Sequence, residues 1–190
     1  RNLYLDTPDF RLIRRSLEKP VYKEKLRLRS YGRADREHPV FMELKKKYRS
    51  IVYKRRLTLP YGRALDCLTG DCPWPETQIG REIGYAMDFY PDLEPRVFLS
   101  YERDSWYAPE SGLRITFDDA IRFRTADLTL DSDLWGTALL RPDQVLMELK
   151  APGAIPLWMV RLLTEMGLYK TSFSKYGTAY QILLEQEYKV

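Results

Sequence analysis

The residues with the clearest chemical potential are cations that recur at every second position of one short segment. Residues 22–29 read Tyr-Lys-Glu-Lys-Leu-Arg-Leu-Arg, and the cations are Lys23, Lys25, Arg27 and Arg29. Successive side chains of a β-strand point to opposite faces, so an extended segment would present these cations in one row. A helix would scatter them around its circumference. The pattern therefore indicates a strand with a basic face, which needs either water or a polyanion opposite it.

Three further segments repeat this alternation of charged and apolar residues, at residues 40–47, 51–59 and 145–150. Their same-face charges are Glu43 with Lys45, Lys54 with Arg56, and Glu148 with Lys150. The link between the first two segments is short, which predicts an antiparallel meander that extends the basic row over neighbouring strands.

Basic charge is concentrated in the part of the chain that contains these strands. Residues 22–61 hold thirteen Lys or Arg and four Asp or Glu, a balance of +9 in a chain whose net charge is +4. Such a local excess points to a binding site more than to a merely soluble surface. Phosphates have the charge density that rows of lysine and arginine match, and arginine can hold them bidentately.

The sequence argues against several other chemistries. No apolar run approaches the ~20 residues of a membrane-spanning helix, and no Gly-rich phosphate loop is present. His38, the one histidine, lies in a turn-like segment, so catalysis by histidine is not expected. Cys67 and Cys72 have no histidines near them, which favours a free-thiol pair in a reducing cytoplasm over a zinc site.

Alternation and helical spacing together predict one α+β domain over residues 1–190, with a mostly antiparallel sheet. Strands are expected at residues 2–6, 22–29, 40–47, 51–59, 96–106, 112–118 and 145–150, and residues 118–123 continue toward another short strand. Helices are expected at residues 9–18, 76–90, 156–169 and 174–186, with turn residues at 61–75 and a loop containing one or two short strands at 125–140.

The fold must also accommodate the charges. Burying so many cations without anions would cost several kcal/mol each. A closed antiparallel β-barrel, with helices packed outside and a hydrated lumen that holds a polyanion, removes this conflict. An open sheet with a wet basic face removes it equally well on charge grounds alone.

An ordered set of motifs along the chain resembles the VTC domain. The motifs are Tyr-Leu-Asp-Thr at 4–7, Lys-Leu-Arg-Leu-Arg-Ser-Tyr-Gly at 25–32, Met-Glu-Leu-Lys at 42–45 and 147–150, Val-Tyr-Lys-Arg-Arg at 52–56, Ser-Tyr-Glu-Arg at 100–103, Leu-Arg-Ile-Thr-Phe-Asp at 113–118 and Ser-Phe-Ser-Lys-Tyr at 172–176. The VTC domain is the polyphosphate polymerase module of the vacuolar transporter chaperone. It belongs to the CYTH-like triphosphate tunnel metalloenzymes, so the resemblance implies an antiparallel barrel that is open as a tunnel.

The resemblance also implies a role for each matching residue. The catalytic set would be Arg27, Arg29, Lys45, Arg103, Arg114, Glu148 and Lys175. Phosphate groups of the nucleotide or the growing chain would be bound by Lys25, Arg27, Arg29, Lys45, Lys54, Arg56, Tyr101, Arg103, Arg114, Ser174 and Lys175, with Lys150 in a supporting role. Glu148 would hold a divalent metal, Mn²⁺ or Mg²⁺, and Glu43 is a second candidate ligand. A helix that begins at Ser174 favours an anion there on physical grounds too.

The implied reaction moves the γ-phosphate of ATP onto the end of a polyphosphate chain and releases ADP. The acceptor oxygen is already anionic, so no general base is needed. The expected setting is the cytoplasm, with a membrane-protein partner as a candidate and the oligomeric state open. Tunnel enzymes usually begin with a strand such as Arg-x-Glu-x-Lys before the Tyr-Leu-Asp-Thr motif, so the sequence predicts a tunnel that lacks this first strand.

Two alternatives to the polymerase remain open. One is a tunnel triphosphatase that hydrolyses inorganic triphosphate, thiamine triphosphate or RNA 5′ ends. The other is a module without catalysis that binds polyphosphate or nucleic acid. Single-strand nucleic-acid binding would need aromatic platforms among the cations. The tyrosines mostly lie at strand ends or away from the basic row, so nucleic acid is not the expected partner.

Overall fold

The computed structural model describes residues 1–187, in which the chain forms eight strands and five helices. In chain order these are β1 (Asn2–Asp6), α1 (Arg11–Leu17), β2 (Tyr22–Arg29), β3 (Pro39–Tyr48), β4 (Ile51–Pro60), α2 (Tyr61–Thr69), α3 (Gln78–Phe89), β5 (Glu94–Ala108), β6 (Leu113–Arg124), β7 (Thr137–Ala138), β8 (Leu146–Lys150), α4 (Leu157–Glu165) and α5 (Lys175–Glu187). Residues 188–190, the end of the predicted domain, lie outside the described residues.

All eight strands belong to one antiparallel sheet, which confirms the predicted α+β class. The strand order is β4-β3-β2-β1-β5-β6-β7, and β8 pairs with another part of β6. Within residues 1–187 the two ends of the sheet, β4 on one side and β7 with β8 on the other, do not pair with each other. The strands therefore form an open version of the predicted barrel, without hydrogen-bonded closure.

One face of the sheet is apolar and is covered by helices, as the alternation predicts. Its fully buried side chains include Leu3, Leu26, Leu28, Met42 and Leu44. Ala64 of α2 and Ile83 of α3 pack into the same cluster. Helix α3 begins where the Thr77 hydroxyl accepts a hydrogen bond from Gly80 N at 3.0 Å. These helices lie outside, on the face opposite the basic row.

The other face carries both the cations and a second apolar cluster. Tyr4, Val97 and Leu99 pack there against Tyr176 and Tyr180 of α5. Because Tyr4 is directly opposite Arg27 in the β1–β2 register, this cluster and the basic row share one face. Helix α5 thus covers part of the face that carries the cations.

The stretch at residues 61–75 differs from its prediction as a turn segment, because Tyr61–Thr69 is a helix. Tyr61 and Ala64 are buried against the sheet, so tertiary packing stabilises a segment whose glycines and prolines suggest turns. Gly70 ends the helix with a φ of 85°. Cys67 and Cys72 are free thiols near this end, with their Sγ atoms 2.9 Å apart.

Candidate anion-binding site

The registers of β2, β3 and β4 align the predicted cations into rows across the sheet. Lys25 is opposite Lys45, which is opposite Lys54. Arg27 is opposite Glu43 in the next row on the same face. Directly opposite residues in antiparallel strands have their Cβ atoms about 5 Å apart. The basic row predicted from one strand is therefore part of a basic surface three strands wide.

Glu43 is the counter-ion of this surface. Its carboxylate pairs with Arg27 at 2.6 Å, with Lys54 at 2.7 Å and with Arg56 at 2.6 Å. The Glu43 side chain is 2% exposed. Burial alone would raise its pKa, but Arg27 and the hydrogen bonds from Lys54, Arg27 and Arg56 lower the pKa to about 2. One carboxylate thus fixes three phosphate-binding candidates and leaves a surplus of positive charge.

Arg27 lies at the centre of this network. Its Nε donates to Glu43 at 2.7 Å and its Nη1 donates to the Tyr4 hydroxyl at 3.2 Å. Burial would lower the pKa of Arg27, but Tyr4 and Glu43 raise it above its ordinary value. The guanidinium is therefore charged at any working pH and is held in a fixed orientation.

A second wall of the site is formed by β5 and β6. Arg103 donates two hydrogen bonds to Asp118, at 2.5 and 2.7 Å, and Lys175 pairs with the same carboxylate. Asp118 has no exposed surface. Burial would raise its pKa, yet Arg103 and Lys175 lower it. The charged groups of Arg103 and Lys175 both lie over the Tyr101 ring, 5.1 and 4.7 Å from its centre.

The start of α5 connects the two walls. Lys25 Nζ donates to Ser174 Oγ at 3.2 Å, whereas the next residue, Lys175, reaches Asp118 on β6. Ser174 Oγ also accepts from Gly177 N at 3.2 Å, which is N-cap geometry for α5. A helix N-terminus attracts anions, so the cations of both walls converge on a favourable place for a phosphate.

Lys25 is partly buried and lies near other cations. Burial, followed by the nearby charges of Lys23 and Lys45, lowers its pKa to about 8. A bound polyanion would relieve this penalty because it offers the ammonium an opposite charge.

Glu148 lies on β8 beside the second wall. It pairs with Lys150 at 3.0 Å, and its side chain is 45% exposed. Burial would raise its pKa, but Lys150, Arg103 and Lys175 lower it. Directly opposite, Thr116 of β6 has a buried hydroxyl with no hydrogen-bond partner among the described residues. The two side chains offer oxygen atoms on one face.

Four predicted cations make no contact with Glu43, Asp118 or α5, and Lys45 is aligned with the others only by the strand register. Arg29 is buried and lies over the Tyr31 ring at 4.6 Å, with its Nε lacking a partner among the described residues. Arg114 and Lys150 are directly opposite each other on β6 and β8, and both are exposed. Arg29, Lys45, Arg114 and Lys150 thus lie on the edge of the contact network described above.

Sequence reasoning missed Asp118 and Tyr4 as parts of the site. Asp118 was detectable, because the alternation of residues 112–118 places it on the face of Arg114. Tyr4 was not, since its role depends on the pairing of β1 with β2. Of the two candidate metal ligands, Glu43 does not fit, because three cations already occupy its oxygens.

A family model for the VTC domain matches residues 1–184. The chain belongs to the VTC domain family. A solved structure that resembles this VTC domain is a proposed adenylate cyclase from Bacillus halodurans. The two are 14% identical with a TM-score of 0.48, and the match covers 91% of this chain and 76% of the other. A search of curated proteins finds no significant match.

Membership in the VTC family supports a phosphate-transfer enzyme with a triphosphate-type ligand. The residues of the matched region include every cation of the two walls described above. No helix within residues 1–187 of the VTC domain is long and apolar enough to cross a membrane.

Proposed function

We propose that this protein is a polyphosphate polymerase that transfers the γ-phosphate of ATP to the end of a polyphosphate chain. The observation that carries this proposal is that cations of both walls meet at the start of α5: Lys25 contacts Ser174, and Lys175 shares Asp118 with Arg103. Arg27 lies beside them, because it donates to Tyr4, whose ring stacks on Tyr176 of α5. Cations from separate elements in this arrangement suit a ligand with several linked phosphates.

Phosphoryl transfer depends on positioning and charge neutralisation more than on covalent chemistry by the protein. In this proposal Arg27 and Arg103 hold phosphate oxygens, because each guanidinium is already oriented by a buried carboxylate. Lys25 and Lys175 neutralise charge that develops near Ser174. The acceptor is an ionised phosphate oxygen, so no proton has to be removed by the protein.

A divalent metal, Mn²⁺ or Mg²⁺, is part of the proposal. Glu148 fits as a ligand better than Glu43, since its carboxylate is partly exposed and, among the described residues, only Lys150 forms an ion pair with it, through Oε1. The Thr116 hydroxyl, which has no hydrogen-bond partner among the described residues, offers a second oxygen beside it. Such cations are commonly held by one or two carboxylates together with substrate phosphates. The metal would neutralise charge between phosphate oxygens.

The proposal is tested by incubating the full chain with ATP and Mn²⁺ and resolving the products on a gel. A ladder of long phosphate chains supports the polymerase. Release of orthophosphate without chains would identify a triphosphatase instead, and binding of polyphosphate without turnover would identify a binding module. Polymerase activity should be abolished by Arg27→Ala and by Glu148→Ala, whereas Lys46→Ala should retain it because Lys46 lies on the opposite face of β3.

The proposal includes a cytoplasmic location and a membrane-protein partner. ATP as donor is consistent with a cytoplasmic location, and an acceptor chain that must leave the site is consistent with a membrane-protein partner. Fractionation of cells that express the full protein, followed by crosslinking, tests both points. Recovery outside the cytoplasmic and membrane-associated fractions would contradict the proposed setting.

A further inference from the structure

The basic surface divides into two halves with different charge balance. In the half that contains Arg27, three cations share the Glu43 carboxylate. The other half is made of four lysines, which the register places in two directly opposite pairs. The pairs are Lys23 with Lys47 and Lys25 with Lys45.

Among the described residues no carboxylate forms an ion pair with these four lysines, although the charge of the buried Asp6 carboxylate acts on Lys25 and raises its pKa. Glu24 is adjacent in sequence, but it lies on the opposite face and accepts hydrogen bonds from Tyr22 at 3.0 Å and Tyr90 at 2.7 Å. Lys23 Nζ donates to the carbonyl oxygen of Ser16 at 2.9 Å, which leaves two of its three N–H donors. Burial and the charges of Lys47 and Lys45 lower the pKa of Lys23. Lys23, Lys45 and Lys47 therefore repel one another, and none of them has a paired carboxylate among the described residues.

The lysine half extends the site along β2 and β3, on the side away from Arg27. Residues two apart on a strand face are separated by about 7 Å. Lys23 therefore lies about one such step beyond Lys25, away from Arg27 and Glu43. A ligand that ends at Lys25 gains nothing from Lys23 and Lys47, whereas a linear polyanion that extends along β2 meets both.

We propose that Lys23 and Lys47 form a second anion subsite that binds the distal phosphates of a linear polyphosphate chain. This inference rests on the proposed function, because it assumes that the reacting phosphates lie at Lys25 and Arg27. The subsite makes the protein selective for chain length: long chains contact both halves of the surface, whereas short chains contact only the half near α5.

The test measures equilibrium binding of two probes, inorganic tripolyphosphate and long-chain inorganic polyphosphate, over a range of salt concentrations. The variants are Lys47→Gln, which removes no hydrogen bond made within residues 1–187, and the double variant with Lys23→Gln. Lys46→Gln is the matched control, because it removes the same charge from the opposite face of the same strand. Thermal melts of each variant exclude a loss of fold.

Loss of one charge-assisted contact should weaken binding of the long chain about tenfold for Lys47→Gln, and more in the double variant. Binding of tripolyphosphate and the behaviour of Lys46→Gln should be unchanged. The slope of log affinity against log salt should fall by about 1 for each lysine removed. Equal losses for both probes, or no loss for the long chain, would overturn the subsite.

These outcomes are separate from those of the proposed function. If the protein binds long chains in this lysine-dependent way but makes no polyphosphate from ATP, the subsite is retained and the polymerase is rejected. If it makes polyphosphate and the two lysines have no effect on long chains, the polymerase is retained and the subsite is rejected.

Discussion

Replacing Glu43 with glutamine should destabilise the protein and make its stability dependent on bound anion. The carboxylate pairs with three cations and is 2% exposed. Glutamine keeps the size and removes the charge, so Arg27, Lys54 and Arg56 would repel one another without a counter-ion. A bound polyanion would supply the missing negative charge.

The magnitude follows from two independent arguments. The pKa of Glu43 falls from 4.5 to about 2 in the folded protein, which corresponds to about 3 kcal/mol of stability. Removing one partner of a buried ion pair typically costs about 3–5 kcal/mol. Because the folded pKa is lowered, this stability is present above pH 4.5 and is lost as the pH falls toward 2. For a domain of this size, 3 kcal/mol lowers the melting temperature by about 6–12 °C.

The assay is thermal unfolding at neutral pH, with and without tripolyphosphate. Glu82→Gln is the control, since Glu82 pairs with Arg55 at 2.9 Å but both side chains are partly exposed. Exposed pairs contribute at most about 1 kcal/mol. Tripolyphosphate should raise the melting temperature of Glu43→Gln more than that of the unmodified protein. Equal melting temperatures for Glu43→Gln and Glu82→Gln would refute the reasoning, as would an anion effect of the same size in all three proteins.

Three further outcomes are expected. Binding of tripolyphosphate should weaken as the pH rises through about 8, where Lys25 loses its charge. The stability of the free protein should instead rise between pH 8 and 10.5, because the pKa of Lys25 is lower in the folded protein than in the unfolded chain. Titration calorimetry measures the first effect and thermal melts measure the second, and a change of both in the same direction would contradict the assignment to Lys25. Asp118→Asn should cost about 2–4 kcal/mol in urea unfolding, because Arg103 and Lys175 lose their shared counter-ion. An unchanged midpoint would show that this pairing is not structural. Tyr176→Phe should lower the free energy of unfolding by about 1–3 kcal/mol, because the buried Asp6 carboxylate loses a hydrogen bond of 2.9 Å. Urea unfolding measures this loss, and a midpoint unchanged within the error of the assay would contradict the prediction.

The sequence was most informative where polar and apolar residues alternate strictly. Strand β1 (Asn2–Asp6) and strand β2 (Tyr22–Arg29) have the predicted bounds, and β3 and β4 differ by about one residue at their ends. A period of two also identifies which side chains share a face. The alignment of Lys25, Lys45 and Lys54 could therefore be predicted once the pairing of neighbouring strands was assumed.

Features that depend on contacts distant in sequence could not be predicted in this way. Helix α2 forms because Tyr61 and Ala64 pack against the sheet, although Gly62 and Gly70 suggest turns. Residues 118–123, which were expected to continue toward a separate short strand, instead belong to β6, which runs to Arg124 through Ala120 with a φ of 44°, next to an irregular register with β5. The position of α5 on the basic face depends on the stacking of Tyr4 on Tyr176, with ring centres 4.4 Å apart.

Asp6 ties the start of the chain to the last helix, and this has a mechanical consequence. Its buried carboxylate accepts hydrogen bonds from Leu12 N and Ile13 N in α1 and from the Tyr176 hydroxyl in α5. A displacement of α5 must either break the Tyr176 bond or carry α1 and β1 along with it. Ser174 and Lys175 are therefore held in a fixed position relative to β1 and α1, and do not belong to a hinged lid. A phosphate that arrives there meets donors already in place, so little binding free energy is spent on ordering the protein.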